Sequence, residues 1–146
     1  MIVVVDGNIV ISAIINPQGI IPFLLFNASD KIDFIVPQFI IEEIDLHQSK
    51  IIKAAKITKP IFQSLFIAIK KNLLVFSNDL IDEQSFDKAL LLTKHIDEKD
   101  TIYIAFAIAL DGLFWTGDIK LKNALSKKGF TNSVSTKQLN EIIKGL

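Results

Sequence analysis

Cysteine is absent from the 146 residues, and so is arginine: all 16 basic residues are lysine. Without Cys there is no disulfide scaffold, no thiol nucleophile and no Cys-ligated zinc. Without Arg no planar fork grips a phosphate in two places, so any anion must be held by lysines acting as point charges. Long apolar runs are missing too. The longest, Ile102–Leu110, has nine residues, against the roughly 20 that a membrane-spanning helix needs. The opening Met1-Ile2-Val3-Val4-Val5-Asp6 has no positive segment ahead of its apolar residues, which argues against a signal peptide. The expectation is a cytoplasmic protein with no membrane partner. Net charge is also zero, 16 acids balancing the 16 lysines.

That balance conceals blocks. Residues 1–45 hold six acids and one Lys, and residues 46–78 hold six Lys and no acid. Residues 79–118 hold nine acids and three Lys, and residues 119–146 hold six Lys and one acid. Half of the residues are apolar, enough for one compact core at this length. No linker, low-complexity tract or internal repeat interrupts the chain, so residues 1–146 are expected to form a single domain.

Short apolar strands alternate with helical segments. Ile2–Val5 reads as a buried strand ending at Asp6, and Asp33–Pro37 as a second strand closed by proline. Pro37 suits the first turn of a long helix through Glu42 and Glu43 to about Thr58. Pro60 opens another to about Lys71, Leu73–Phe76 is a third strand, and Asp82 to about Lys94 is helical. Asp97 caps a helix through Leu110, Leu113–Trp115 is a fourth strand, and Asp118 starts a helix stopping near Gly129. Phe130–Ser135 is a fifth strand before a terminal helix from Thr136. This alternation predicts an α/β fold: a mostly parallel sheet of about five strands in three α/β/α layers, with helices on both faces. Ligands of such sheets sit beyond the carboxyl ends of the strands.

Carboxylates fall at those ends. Asp6 follows the first strand and Asp118 the fourth, Asp97 and Asp100 open the helix leading into the fourth, and Glu42 and Glu43 lie in the helix after the second. Each has an ordinary structural role open to it. Asp97 and Asp118 are good N-caps, Asp100 fits a capping-box position, and the glutamates suit a solvated face. Gathered together they would repel one another and raise each other's pKa unless a cation intervened. Oxygen ligands of this kind suit Mg²⁺ or Mn²⁺ better than zinc.

These residues resemble the PIN-domain nucleases. Val4-Val5-Asp6-Gly7-Asn8 is similar to the opening motif, and Pro37-Gln38-Phe39-Ile40-Ile41-Glu42-Glu43-Ile44 to the second, with Glu43 its acid. Asp97-Glu98-Lys99-Asp100 resembles the third, and Trp115-Thr116-Gly117-Asp118 with Leu121 the fourth. Gly7 stands where the family often has a hydroxyl or other small residue. The resemblance is nearest to the toxin components of type II toxin–antitoxin modules. It implies a metal-dependent endoribonuclease acting on single-stranded RNA and leaving 5′-phosphate and 3′-hydroxyl ends. It also implies one or two Mg²⁺ or Mn²⁺ ions, a homodimer and an antitoxin protein as partner. Asp6, Glu43, Asp100 and Asp118 would form the acidic quartet, Asp97 an additional ligand, and Asn8 and Thr116 orienting hydrogen-bond donors.

Other residues leave alternatives open. Lys120, beside Asp118, is placed to meet a phosphate or to face solvent. Lys50, Lys53, Lys56 and Lys59 recur every third residue, which spreads them around a single helix as a solvated face with room for one or two phosphate contacts. His47 shares a face with Glu43, as a metal neighbour or a surface residue, and His95 has no nucleophile near it. Ile20–Phe26 and Pro60–Ile69 suit either core or a dimer surface. A haloacid-dehalogenase-type phosphatase would need an acid where Asn8 stands, and a phospho-accepting receiver domain would need paired acids after the first strand. The remaining rival is a non-catalytic PIN domain that binds RNA or protein.

Overall fold

The computed structural model describes residues 1–146. Five strands form one parallel sheet: β1 (Ile2–Val5), β2 (Asp33–Pro37), β3 (Leu74–Phe76), β4 (Leu113–Trp115) and β5 (Ser133–Val134), in the order β3-β2-β1-β4-β5. Val3, Val4 and Val5 are all fully buried. A strand covered on both faces loses the apolar–polar alternation of a half-exposed one, which is why β1 reads as an unbroken β-branched run. Register puts Val5 beside Trp115 and Pro37 beside Phe76. Because every strand points the same way, all five end at one edge. The chain leaves β1 for β2 on one side and later adds β4 on the other, so a topological switch point lies between β1 and β4.

Nine helices cover the sheet, completing the three α/β/α layers: α1 (Gly7–Ile15), α2 (Ile20–Ala28), α3 (Gln38–Leu46), α4 (Gln48–Ala55), α5 (Lys59–Lys70), α6 (Glu83–Thr93), α7 (Thr101–Ala109), α8 (Ile119–Lys127) and α9 (Thr136–Lys144). Helix α1 packs against α2, α4 and α5, α2 also meets α9, and α6 packs along α7. Tyr103, Ile104, Ala105, Phe106 and Ala107 are consecutive and all buried. A helix apolar all round belongs inside, and α7 lies between α6 and the strands. No helix is long and apolar enough to cross a membrane.

Ile20–Ala28, a segment open to core or dimer roles, is a helix, and at its third position the missing N–H of Pro22 has no partner to lose. Elsewhere the structure departs from the sequence-based expectations at four places. The long helix expected from Pro37 breaks at His47 into α3 and α4. At the break Gln48 Nε2 donates to the Asp45 carbonyl at 3.1 Å, a side-chain bond that competes with the helical ladder. Pro37 itself ends β2 and caps α3 instead of lying in its first turn. Asp97 caps a 3₁₀ turn (Glu98–Asp100) and α7 begins only at Thr101. The fifth strand shrinks to Ser133–Val134. Of the two segments open to core or surface roles, α5 buries Phe62 and Phe66 while α2 leaves Phe23 and Phe26 exposed. Trp115 is core, fully buried against Phe34.

Candidate functional site

Asp6 is built into the switch point. Its backbone N–H continues the sheet to the Trp115 carbonyl at 3.0 Å, and its side chain caps α1, Oδ1 accepting from the Asn8 backbone N–H at 3.0 Å. Oδ2 accepts from Thr116 Oγ1 at 2.8 Å. The Thr116 hydroxyl in turn accepts from the Asp118 N–H at 3.1 Å, and Asp118 Oδ1 caps α8 through the Leu121 N–H at 3.0 Å. One buried hydroxyl therefore ties the acids after β1 and β4 together. Asn8 does orient Asp6, through its backbone amide.

A cavity of about 730 Å³ opens at this edge. Its wall includes Asp6, Asn8, Glu43, Asp97, Glu98 and Asp100. Of the adjacent pair on α3, Glu43 is the one that reaches it, while Glu42 accepts from Gln38 on the same helix at 3.2 Å. Asp118 and Lys120 lie outside the wall, although Asp118 is close enough to raise the pKa of both Asp6 and Asp100. His47 is on the wall, and His95 is not.

The electrostatics are those of acids without counter-ions. The protein's one ion pair, Lys144–Glu141, involves none of these carboxylates. Burial pushes Asp6 up, opposed by its bonds to Asn8 and Thr116 and assisted by Asp118. Asp100 is raised to about 7 by burial first, then by Asp6, Asp97 and Asp118. Its carboxyl makes no capping hydrogen bond, so the capping-box role open to it in the sequence is not taken up. It stands at the helix start with its oxygens uncommitted.

Sequence reasoning missed Tyr103 on the cavity wall and gave Glu98 and Lys99 no role of their own, whereas Lys50, one of the four lysines open to a phosphate contact, does line it. Tyr103 Oη accepts from the Gly7 N–H at 2.9 Å, its ring stacked on Phe114 with centroids 5.3 Å apart. Burial and then Asp6 push that hydroxyl above its ordinary range, so it stays neutral. The signal for Tyr103 was a lone phenol in an otherwise apolar helix. A Cβ on Gly7 would lie 3.0 Å from that oxygen and from Ile40 Cδ1, which accounts for glycine where the resembled family often has a larger residue.

The donor set fits a hard divalent cation: several carboxylate oxygens, partly desolvated, mutually repelling and in no ion pair with lysine. No three acidic or histidine side chains are already drawn together at ligating distance. Glu43 and Asp97 are exposed, so they have freedom to turn towards an ion anchored on the fixed Asp6.

Comparison with known proteins agrees with the topology. The PIN domain family profile matches residues 4–142. No curated protein sequence matches significantly. Among solved structures, one similar chain belongs to the crystal structure of VapBC2 from Rickettsia felis bound to a DNA fragment from their promoter. It superposes with a TM-score of 0.70 at 16% identity, covering 92% of this chain and 98% of that one. Such a likeness speaks to the fold, whereas the profile spans nearly the whole sequence. By that match the chain belongs to the PIN-domain family of nucleases.

Proposed function

We propose that the protein is a divalent-metal-dependent endoribonuclease that hydrolyses phosphodiester bonds of single-stranded RNA. The observation that carries this reading is the convergence of Asp6, Glu43, Asp97 and Asp100 on one cavity at the switch point, with Asp118 coupled to them. A phosphodiester is anionic, and these acids alone would repel it. Mg²⁺ or Mn²⁺ held by Asp6, Glu43, Asp97, Asp100 and Asp118 would reverse the local sign and lower the pKa of a bound water. The chain's own part is to position. Thr116 and the Asn8 backbone amide fix the Asp6 carboxylate, Asp118 is set by the start of α8, and Asp100 stands beside them with its carboxyl oxygens uncommitted.

The fold likeness to a chain of the VapBC2 structure supports a toxin role with an antitoxin partner. A cytoplasmic setting and a homodimer complete the proposal, with α2's exposed Phe23 and Phe26 as the surface for a second copy. The test is cleavage of mixed single-stranded RNA by purified protein with Mn²⁺ or Mg²⁺. Activity is expected with either ion, lost in EDTA and lost in Asp6→Asn and Asp118→Asn. RNA left intact by metal-loaded, partner-free protein would replace this reading with a non-catalytic binding module.

A further inference from the structure

We propose that the α4 side of the cavity, with Lys50 on its wall and Lys53 one turn further along, is the surface across which single-stranded RNA enters. This deepens the nuclease reading and rests on it. Only two lysines line the cavity, Lys50 and Lys99. Lys99 lies between Glu98 and Asp100, so its charge is offset by its own neighbours. Lys50 belongs to the segment 46–78, which has six lysines and no acid.

The break at His47 produces this placement. Helix α4 starts afresh at Gln48 and packs on α1 and α5, turning Ile51 inward to 6% exposure and leaving Lys50 and Lys53 in solvent. Three residues apart on one helix, they are neighbours along its surface. Neither enters the protein's one ion pair. Lys56 and Lys59 lie beyond the end of α4, at its left-handed cap and at the start of α5, so the periodicity of one continuous helix does not govern them. The same cavity wall also carries the apolar residues Ile11, Phe39, Ile44 and Ile51 among its charged ones. Of these, Phe39 is the aromatic ring on which an unpaired base could stack without its edges being read. The arrangement therefore offers a phosphate contact and an apolar seat for the adjoining base, which a stacked duplex does not present.

The test measures binding separately from cleavage, by anisotropy of a short fluorescent oligouridylate on the full chain carrying Asp118→Asn, in Mg²⁺. In that background Lys50→Gln and Lys53→Gln are each expected to weaken binding about fivefold at low salt, and each to reduce the log–log salt slope by about 0.7. Lys144→Gln, on α9, is expected to leave both unchanged. Equal binding by Lys50→Gln, or an equal loss in Lys144→Gln, would overturn the proposal. So would a poly-glutamate peptide that displaces the RNA with the same lysine dependence, since the surface would then suit an acidic protein segment. Lysine-dependent binding by a parent protein that cuts no RNA would keep this surface and discard the nuclease reading alone.

Discussion

Thr116 Oγ1 donates to Asp6 Oδ2 at 2.8 Å, joining residues 110 positions apart in the chain. The same oxygen accepts the Asp118 N–H, so a single hydroxyl serves both acids of the central strand pair. Thr116 is 1% exposed, and water cannot readily replace it. Thr116→Val keeps the shape and removes both bonds, leaving a buried carboxylate and an amide short of a partner. A loss of about 1–3 kcal/mol is expected, read as a lower urea midpoint at unchanged slope, with Thr116→Ser recovering most of it. A Thr116→Val protein as stable as the parent would show that the hydroxyl does not hold the strand ends together.

Gly7 and Tyr103 are predicted to be coupled. Alanine inside a helix ordinarily gains about 0.5–1 kcal/mol over glycine. Here its Cβ would sit 3.0 Å from Tyr103 Oη, and that ring is held by stacking on Phe114. Gly7→Ala is therefore expected to lower the melting temperature. In a Tyr103→Phe background, where the obstructing oxygen is gone, the same change should cost clearly less. A double-mutant cycle measures the difference, and additive effects would mean that Ile40 alone sets the limit.

Much of this frame was legible because β1 and β4 announce themselves as apolar runs followed within three residues by an acid. Asp6 and Asp118 could be placed at strand ends before any contact was known. What escaped depends on competition between neighbours or on packing between distant elements. The Gln48 amide that breaks the α3–α4 run follows no apolar period. Asp100 was legible as a site acid, but its alternative role as a capping residue could be set aside only once the preceding 3₁₀ turn was seen to be capped by Asp97. Lys120 drew attention through adjacency to Asp118, yet the cavity wall receives Lys50. That placement follows from the docking of α4 on α1.

Metal-free protein should lose stability as pH rises from the ordinary carboxylate range towards neutrality. The Asp100 carboxyl has a folded pKa of about 7 against 3.8 for the free group. Between those values the folded state binds the extra proton, so raising the pH favours unfolding. The contribution is fully present below 3.8 and gone above about 7. Asp6, raised in the same direction, adds to the slope. Melting temperatures in EDTA across this window should fall more steeply for the parent than for Asp100→Asn. Parallel curves would mean that Asp100 titrates normally in the folded protein.

Mn²⁺ should reverse that loss. An ion that binds only the folded state stabilises it by RT ln(1 + [L]/Kd), about 2.7 kcal/mol at a hundredfold excess over Kd. Binding must compete with the proton on Asp100, so the gain in melting temperature is expected to grow as pH rises through about 7. Asp100→Asn removes both the competing proton and a ligand, and should give a smaller gain with little pH dependence. Lys144→Gln, on α9 and paired only with Glu141, should behave as the parent does. Absence of any shift at millimolar Mn²⁺ and alkaline pH would mean that the exposed Glu43 and Asp97 do not close around an ion anchored on Asp6.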